Sequence, residues 1–169
     1  EAPLDVVDFT PTTQKEYDDG LAELRKGITN PFAQELITRR AQVDRERITG
    51  DSTWFEAAQG IKNRTAKVVT AREQREILVR ASPGRYGEAK AQQMAVLESA
   101  GLPPDVARQQ GMEATERLAM ASVASQVESD PYAALKSLSA GPGESGNQAI
   151  EDLSPDGRER ARGAAEVEI

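Results

Sequence analysis

The chain has neither cysteine nor histidine. Their absence removes disulfides, thiolate nucleophiles, imidazole bases and the commonest transition-metal ligands together. Aromatic residues are scarce, with three Phe, three Tyr and one Trp in 169 residues, so a core filled by rings is excluded in favour of one built from small side chains. No apolar run reaches the roughly eighteen residues of a membrane-spanning helix, and no charged-then-apolar leader precedes the first helical pattern. A soluble chain is expected.

The residues that are abundant are Ala, Glu, Arg and Gln, all strong helix formers, and charged residues make up 29% of the sequence. Little alternation of β-branched residues appears anywhere. The fold expected is therefore all-α, an extended multi-helix bundle or helical repeat segment that assembles as an oligomer. Net charge is −7, but it is unevenly placed. Residues 1–38 hold 8 acids and 3 bases, 39–90 hold 7 acids and 12 bases, and 91–169 hold 13 acids and 6 bases. A basic middle between acidic ends reads either as a phosphate-facing segment or as a solvated helical surface whose cations pair with carboxylates, and the second reading is the more common.

A capping residue followed by proline recurs at Thr10, Asn30, Ser82, Asp130 and Ser154. A side-chain oxygen can accept from an unpaired first-turn amide, while proline at the next position forgoes an N–H that has no partner anyway. Residues 1–9 read as an extended arm, and 10–138 as a helical domain. Within it, Tyr17, Leu21 and Leu24 line one helix that stops near Gly27. The next helix starts at Asn30-Pro31 with Phe32, Leu36 and Val43 on a stripe so thin that it suits partner contacts on one side only. A break is expected at Gly50-Asp51-Ser52, where Thr53 and Glu56 match a capping box. Helical pattern resumes from Phe55 to Ala81, again from Gly87 to Ala100, and from Pro104 to the stop at Asp130. Asp130-Pro131 then opens a short helix through Leu138. Residues 139–153, rich in Gly, Ser and Pro, read as a linker, and 154–169 as a C-terminal helix with almost no apolar face, cut short or frayed.

The helix after Pro104 returns small and β-branched residues at three- and four-residue steps, a stripe that lets another helix approach closely. Self-association is expected through Ala119, Ser122, Val123 and Val127. The basic segment supplies candidate contacts between protomers at Arg39, Arg40, Lys62, Arg64 and Lys67, set against the acidic ends of neighbours. Carboxylate neighbours such as Glu113 and Glu116, or Asp18 and Asp19, have the spacing of a solvated helix face and not of an acid/base pair. No catalytic, cofactor-binding or metal-ligating residue is named, no cofactor is expected, and the chain reads as a non-enzyme. Trp54 could stack on a base or sugar, but a core anchor is the expected role.

From Arg85 to Ala165 a helix ends in Ala-Gly-Leu, a long Ala/Thr/Ser helix follows, then ESDPYAALKSL, a small-residue loop and DLSPDGRERARGAA. This pattern resembles the helical repeats of large internal virion proteins of tailed bacteriophages, which are packed in the capsid and ejected with the genome. Some carry a lytic transglycosylase domain elsewhere in the chain, and no such catalytic motif is visible here. The resemblance implies a structural protein that sits in the virion and passes to the host periplasm or cell envelope. There it would join copies of itself and other ejection proteins in a helical conduit for DNA. Contact with genomic DNA would be non-specific, and contact with the envelope transient. A helical scaffold or adaptor of a large assembly, or a non-catalytic segment of a cell-wall lytic enzyme, would share the same composition.

Overall fold

The computed structural model describes residues 8–141 and 143–169. The described chain is all-helical, with no strand among the described residues. In order it comprises α1 (Phe9–Lys26), α2 (Pro31–Ala81), a 3-10 turn (Pro83–Arg85), α3 (Tyr86–Ser99), α4 (Pro104–Ser129), α5 (Pro131–Leu138), α6 (Gln148–Glu151) and α7 (Pro155–Val167). It divides into two compact units, Glu1–Asn63 and Arg64–Ile169, and the division falls inside α2.

The proline-marked starts are built as the capping argument requires. Asn30 Oδ1 accepts from Phe32 N at 2.9 Å, Asp130 Oδ1 from Ala133 N at 2.9 Å, and Ser154 Oγ from Gly157 N at 3.0 Å. Thr10 differs, because α1 begins two residues earlier than that cap implies, with Asp8 at the cap position and no side-chain cap bond. The free amide of Thr10 is satisfied instead by Glu56 Oε1 at 2.7 Å. Ser82-Pro83 opens only the 3-10 turn, and α3 ends where Gly101 takes a left-handed φ of 59°. The expected arm over 1–9 lies, for residues 1–7, outside the described residues.

Unit 1 is an antiparallel helical hairpin of α1 and residues 31–63 of α2. Polar contacts join the two helices: Gln14 Nε2 donates to Thr49 Oγ1 at 2.7 Å, Arg25 to Thr38 Oγ1 at 2.9 Å, and Asp18 pairs with Arg45. Among its described residues only Ala41 and Ser52 are buried. The break expected at Gly50-Asp51-Ser52 is absent, since α2 runs unbroken through it. Ser52 Oγ donates back to Ile48 O at 2.5 Å, turning a potential cap into a bond along the helix.

Unit 2 is built around α4, which packs against α3, α5, α6 and α7. Its core joins Leu118, Val123, Val127, Leu138 and Ile150 with seven alanines, Ala89, Ala119, Ala121, Ala134, Ala149, Ala161 and Ala165. Alanine contributes little apolar area, but it lets helices approach closely enough to exclude water. The final helix is accordingly packed rather than frayed: Gly157, Ala161 and Ala165 form its buried face. A polar seam crosses the same core. Gln93, fully buried, donates to Val68 O at 3.1 Å and accepts from Arg75 at 3.1 Å, while buried Arg72 donates to Glu113 Oε1 at 2.8 Å. Arg72 Nε also lies 3.1 Å from Glu76 Oε1, an ion pair without hydrogen-bond alignment.

The expected linker over 139–153 is a docked segment in its described residues. Ile150 and Leu153 insert into the core, and Asn147 caps α6 by accepting from Ala149 N at 3.0 Å. Glu151 ties the preceding loop together, accepting from Ser145 Oγ and from Gly143 N at 2.7 Å, with Arg158 3.4 Å away. Glycine and serine here make tight turns between anchors.

Candidate interaction surfaces

The four residues expected to mediate self-association lie inside unit 2. Ala119, Ser122 and Val123 are 0% exposed and Val127 is 4% exposed. Ser122 Oγ donates to Pro83 O at 3.3 Å and accepts from Gln126 Nε2 at 3.2 Å. The stripe is a packing face, as its small residues imply, but the chain's own helices cover it. A second copy has no access to these side chains in this fold.

The five cations named for contacts between protomers fall into two groups. Arg39 and Arg40 are exposed and already paired along α2, with Glu35 at 2.6 Å and Asp44 at 3.2 Å. Lys62, Arg64 and Lys67 are exposed and have no ion pair among the described residues. Across the basic segment 39–90, six of the twelve bases (Arg39, Arg40, Arg45, Arg72, Arg85 and Lys90) pair with carboxylates of the same chain. Half of the positive charge counted in that segment is thus paired in place.

Of the carboxylates considered as acid/base pairs, Glu113, Glu116 and Asp18 are engaged in structural contacts. Glu113 bridges Arg72 and Arg117, and Asp18 pairs with Arg45. Glu116 accepts from Ser154 N at 2.7 Å and Ser154 Oγ at 2.8 Å, holding the start of α7 against α4. A further cluster joins Tyr86, Lys90 and Asp152. The tyrosine hydroxyl donates to Asp152 Oδ2 at 2.6 Å and the ammonium lies 2.7 Å from the same oxygen. Burial, and then the adjacent carboxylate, push the Tyr86 hydroxyl well above the usual phenol range. A phenol so held acts as a clamp between α3 and the 139–153 segment. Among the described residues no group of His, Cys, Asp and Glu could hold a metal ion, and no helix is long and apolar enough to cross a membrane.

Large apolar side chains are exposed in both units: Ile77, Met112, Tyr132 and Val167 stand open on separate elements of unit 2, and unit 1 sets several along one helix. Phe32, Leu36, Val43 and Trp54 are 71%, 55%, 59% and 74% exposed. Trp54 is therefore a surface residue and not the core anchor expected; its neighbour Phe55 takes the inner position, its ring 4.9 Å from that of Phe9. The thin stripe of Phe32, Leu36 and Val43 was legible in the sequence. Its extension to Trp54 was hidden by the expected break at Gly50.

Comparison with known protein families, with curated proteins and with solved structures gives no match to this chain.

Proposed function

We propose that this chain is a structural segment of an internal virion protein of a tailed bacteriophage, stored in the particle, ejected with the genome and assembled with copies of itself into a helical conduit across the host envelope. The observation that supports an assembly role is the open apolar face of unit 1, four large side chains presented on one helix and exposed among the described residues. Soluble single-chain proteins seldom line large exposed apolar residues along one helix face unless that face meets another surface. Pairing of half the bases in the basic segment with carboxylates of the same chain favours a protein past which DNA slides, because unpaired Arg and Lys hold phosphates through counterion release. The absence of cysteine in the sequence fits passage through a narrow tail, where cross-links would obstruct threading.

Mass spectrometry of purified particles before and after genome release tests this. The chain is expected in full particles and lost from emptied ones. Its appearance only in assembly intermediates would identify a scaffold instead, and retention in emptied particles would rule out ejection. Binding of duplex DNA by the isolated protein at sub-micromolar strength near physiological salt, lost when Arg39, Arg40, Lys62, Arg64 and Lys67 become Gln, would make the basic segment a DNA-binding surface.

A further inference from the structure

The uncovered face of α2 in unit 1 has a defined chemistry. Phe32, Leu36, Val43 and Trp54 follow one another at steps of four, seven and eleven residues, which at about 100° per residue places all four within an arc of about 40°. Helix α1 is committed to the other side, where Tyr17 Oη donates to Ala41 O at 3.4 Å and Gln14 reaches Thr49. Charge decides what kind of surface could cover the open side. Between residues 31 and 60 four arginines (39, 40, 45 and 47) stand among five carboxylates (35, 44, 46, 51 and 56). Such a mixture repels phosphate as much as it attracts it. It also lacks the predominantly Lys/Arg polar face of a helix that lies on an anionic membrane. A rim bearing both signs is complementary to itself.

We propose that a second copy of this chain docks antiparallel on this face, α2 against α2. A parallel, in-register pair would set Arg39 against Arg39 and Glu46 against Glu46. An antiparallel pair with its two-fold axis between residues 46 and 47 sets Glu46 against Arg47 of the other copy, and neither residue has an ion pair among the described residues. The same register brings Phe32 opposite Ile61, Leu36 opposite Ala57, Arg39 opposite Trp54 and Val43 opposite Gly50. Leu36 and Val43 thus meet small residues, Phe32 meets an aliphatic side chain, a cation meets an indole face, and Gly50 has open space beyond its backbone to admit the valine. The pairing does not depend on which particle or assembly contains the chain, so it stands or falls separately from the virion reading.

Sedimentation of the full chain up to about 100 μM, a range that detects weak dimers, tests it. The wild type is expected to dimerise, with the emission of Trp54, the sole tryptophan, moving to the blue as it does so. Leu36→Glu with Val43→Glu should sediment as a monomer with unchanged far-ultraviolet circular dichroism. The register is read by single cysteines in a chain that has none. Glu46→Cys should form an intermolecular disulfide and Phe32→Cys should not. A wild type that stays monomeric at that concentration, a double variant that keeps the wild-type mass, or cross-linking through Phe32→Cys in preference to Glu46→Cys would each overturn the proposal.

Discussion

Units 1 and 2 draw on the same helix-forming vocabulary and use it differently. In unit 1 two helices are joined by hydrogen bonds, an ion pair and the Phe9–Phe55 ring contact, and only Ala41 and Ser52 are buried among its described residues. In unit 2 four helices, a 3-10 turn and the end of α2 close around α4, and seven alanines let them do so. The difference lies in how many elements can gather round one stripe. A lone hairpin has one partner face for each helix and must leave the other face to solvent or to another molecule, whereas short connections at Ser82, Asp130 and Ser154 bring successive helices back over α4.

The sharpest way to break this comparison is to place the same charge in each unit. Val123→Glu would bury an unpaired carboxylate where the native side chain is 0% exposed, and should cost unit 2 about 4 kcal/mol or more, enough to abolish its cooperative melting. Val43→Glu, at a site 59% exposed, should change stability by no more than about 0.5 kcal/mol in dilute protein. Denaturant melts followed by circular dichroism would measure both, and equal losses would show that the two units are not differently built.

Glycine substitutions give smaller effects of opposite sign. A Cβ at Gly157 would collide with Glu116 Oε1, an atom fixed by its bonds to Ser154. Gly157→Ala should therefore destabilise unit 2 by about 1–2 kcal/mol, since Glu116 must leave the start of α7. Gly20 lies within α1 with nothing within 4 Å of an added Cβ, so Gly20→Ala should stabilise unit 1 by about 0.5–1 kcal/mol. Two melts with shifts of the same sign would remove the contrast.

The helix starts at Pro31, Pro131 and Pro155 could be read in the sequence because a cap is a local event, settled within four residues. The continuity of α2 through Gly50 could not, since one glycine costs a helix only about 1 kcal/mol and neighbouring turns offset that. The docking of 139–153 was hidden by its glycines and serines, and the signal for it lies in the two large apolar residues Ile150 and Leu153, both buried. The stripe of Ala119, Ser122, Val123 and Val127 shows the deeper limit. Periodicity identifies a face that must be covered, but whether the cover comes from α3, α5, α6 and α7 or from another copy is a matter of long-range topology that the pattern does not carry. Trp54 failed in the opposite direction: its size suggested burial, and the hairpin has no third helix to bury it.

The smallest effect concerns how unit 2 holds the segment that unit 1 has no counterpart for. The Ser145 hydroxyl, followed by the Gly143 amide, hydrogen-bonds the Glu151 carboxylate and holds it low, at about 2 against an ordinary 4.5, with the Ser145 amide and Arg158 adding to the effect. A carboxylate whose folded value is depressed binds fewer protons in the folded state than in the unfolded one, so the stability it contributes is intact above about pH 4.5. That contribution is lost as the pH falls towards 2. Other carboxylates titrate over the same range, and the distinguishing measurement is therefore a difference. Thermal midpoints of the wild type and Glu151→Gln, compared from pH 5 to pH 2, should converge as the pH falls, because the variant has no such proton to take up. Parallel curves would mean that the 143–151 loop is held by its backbone turns and the insertion of Ile150, and that the carboxylate only fills space beside them.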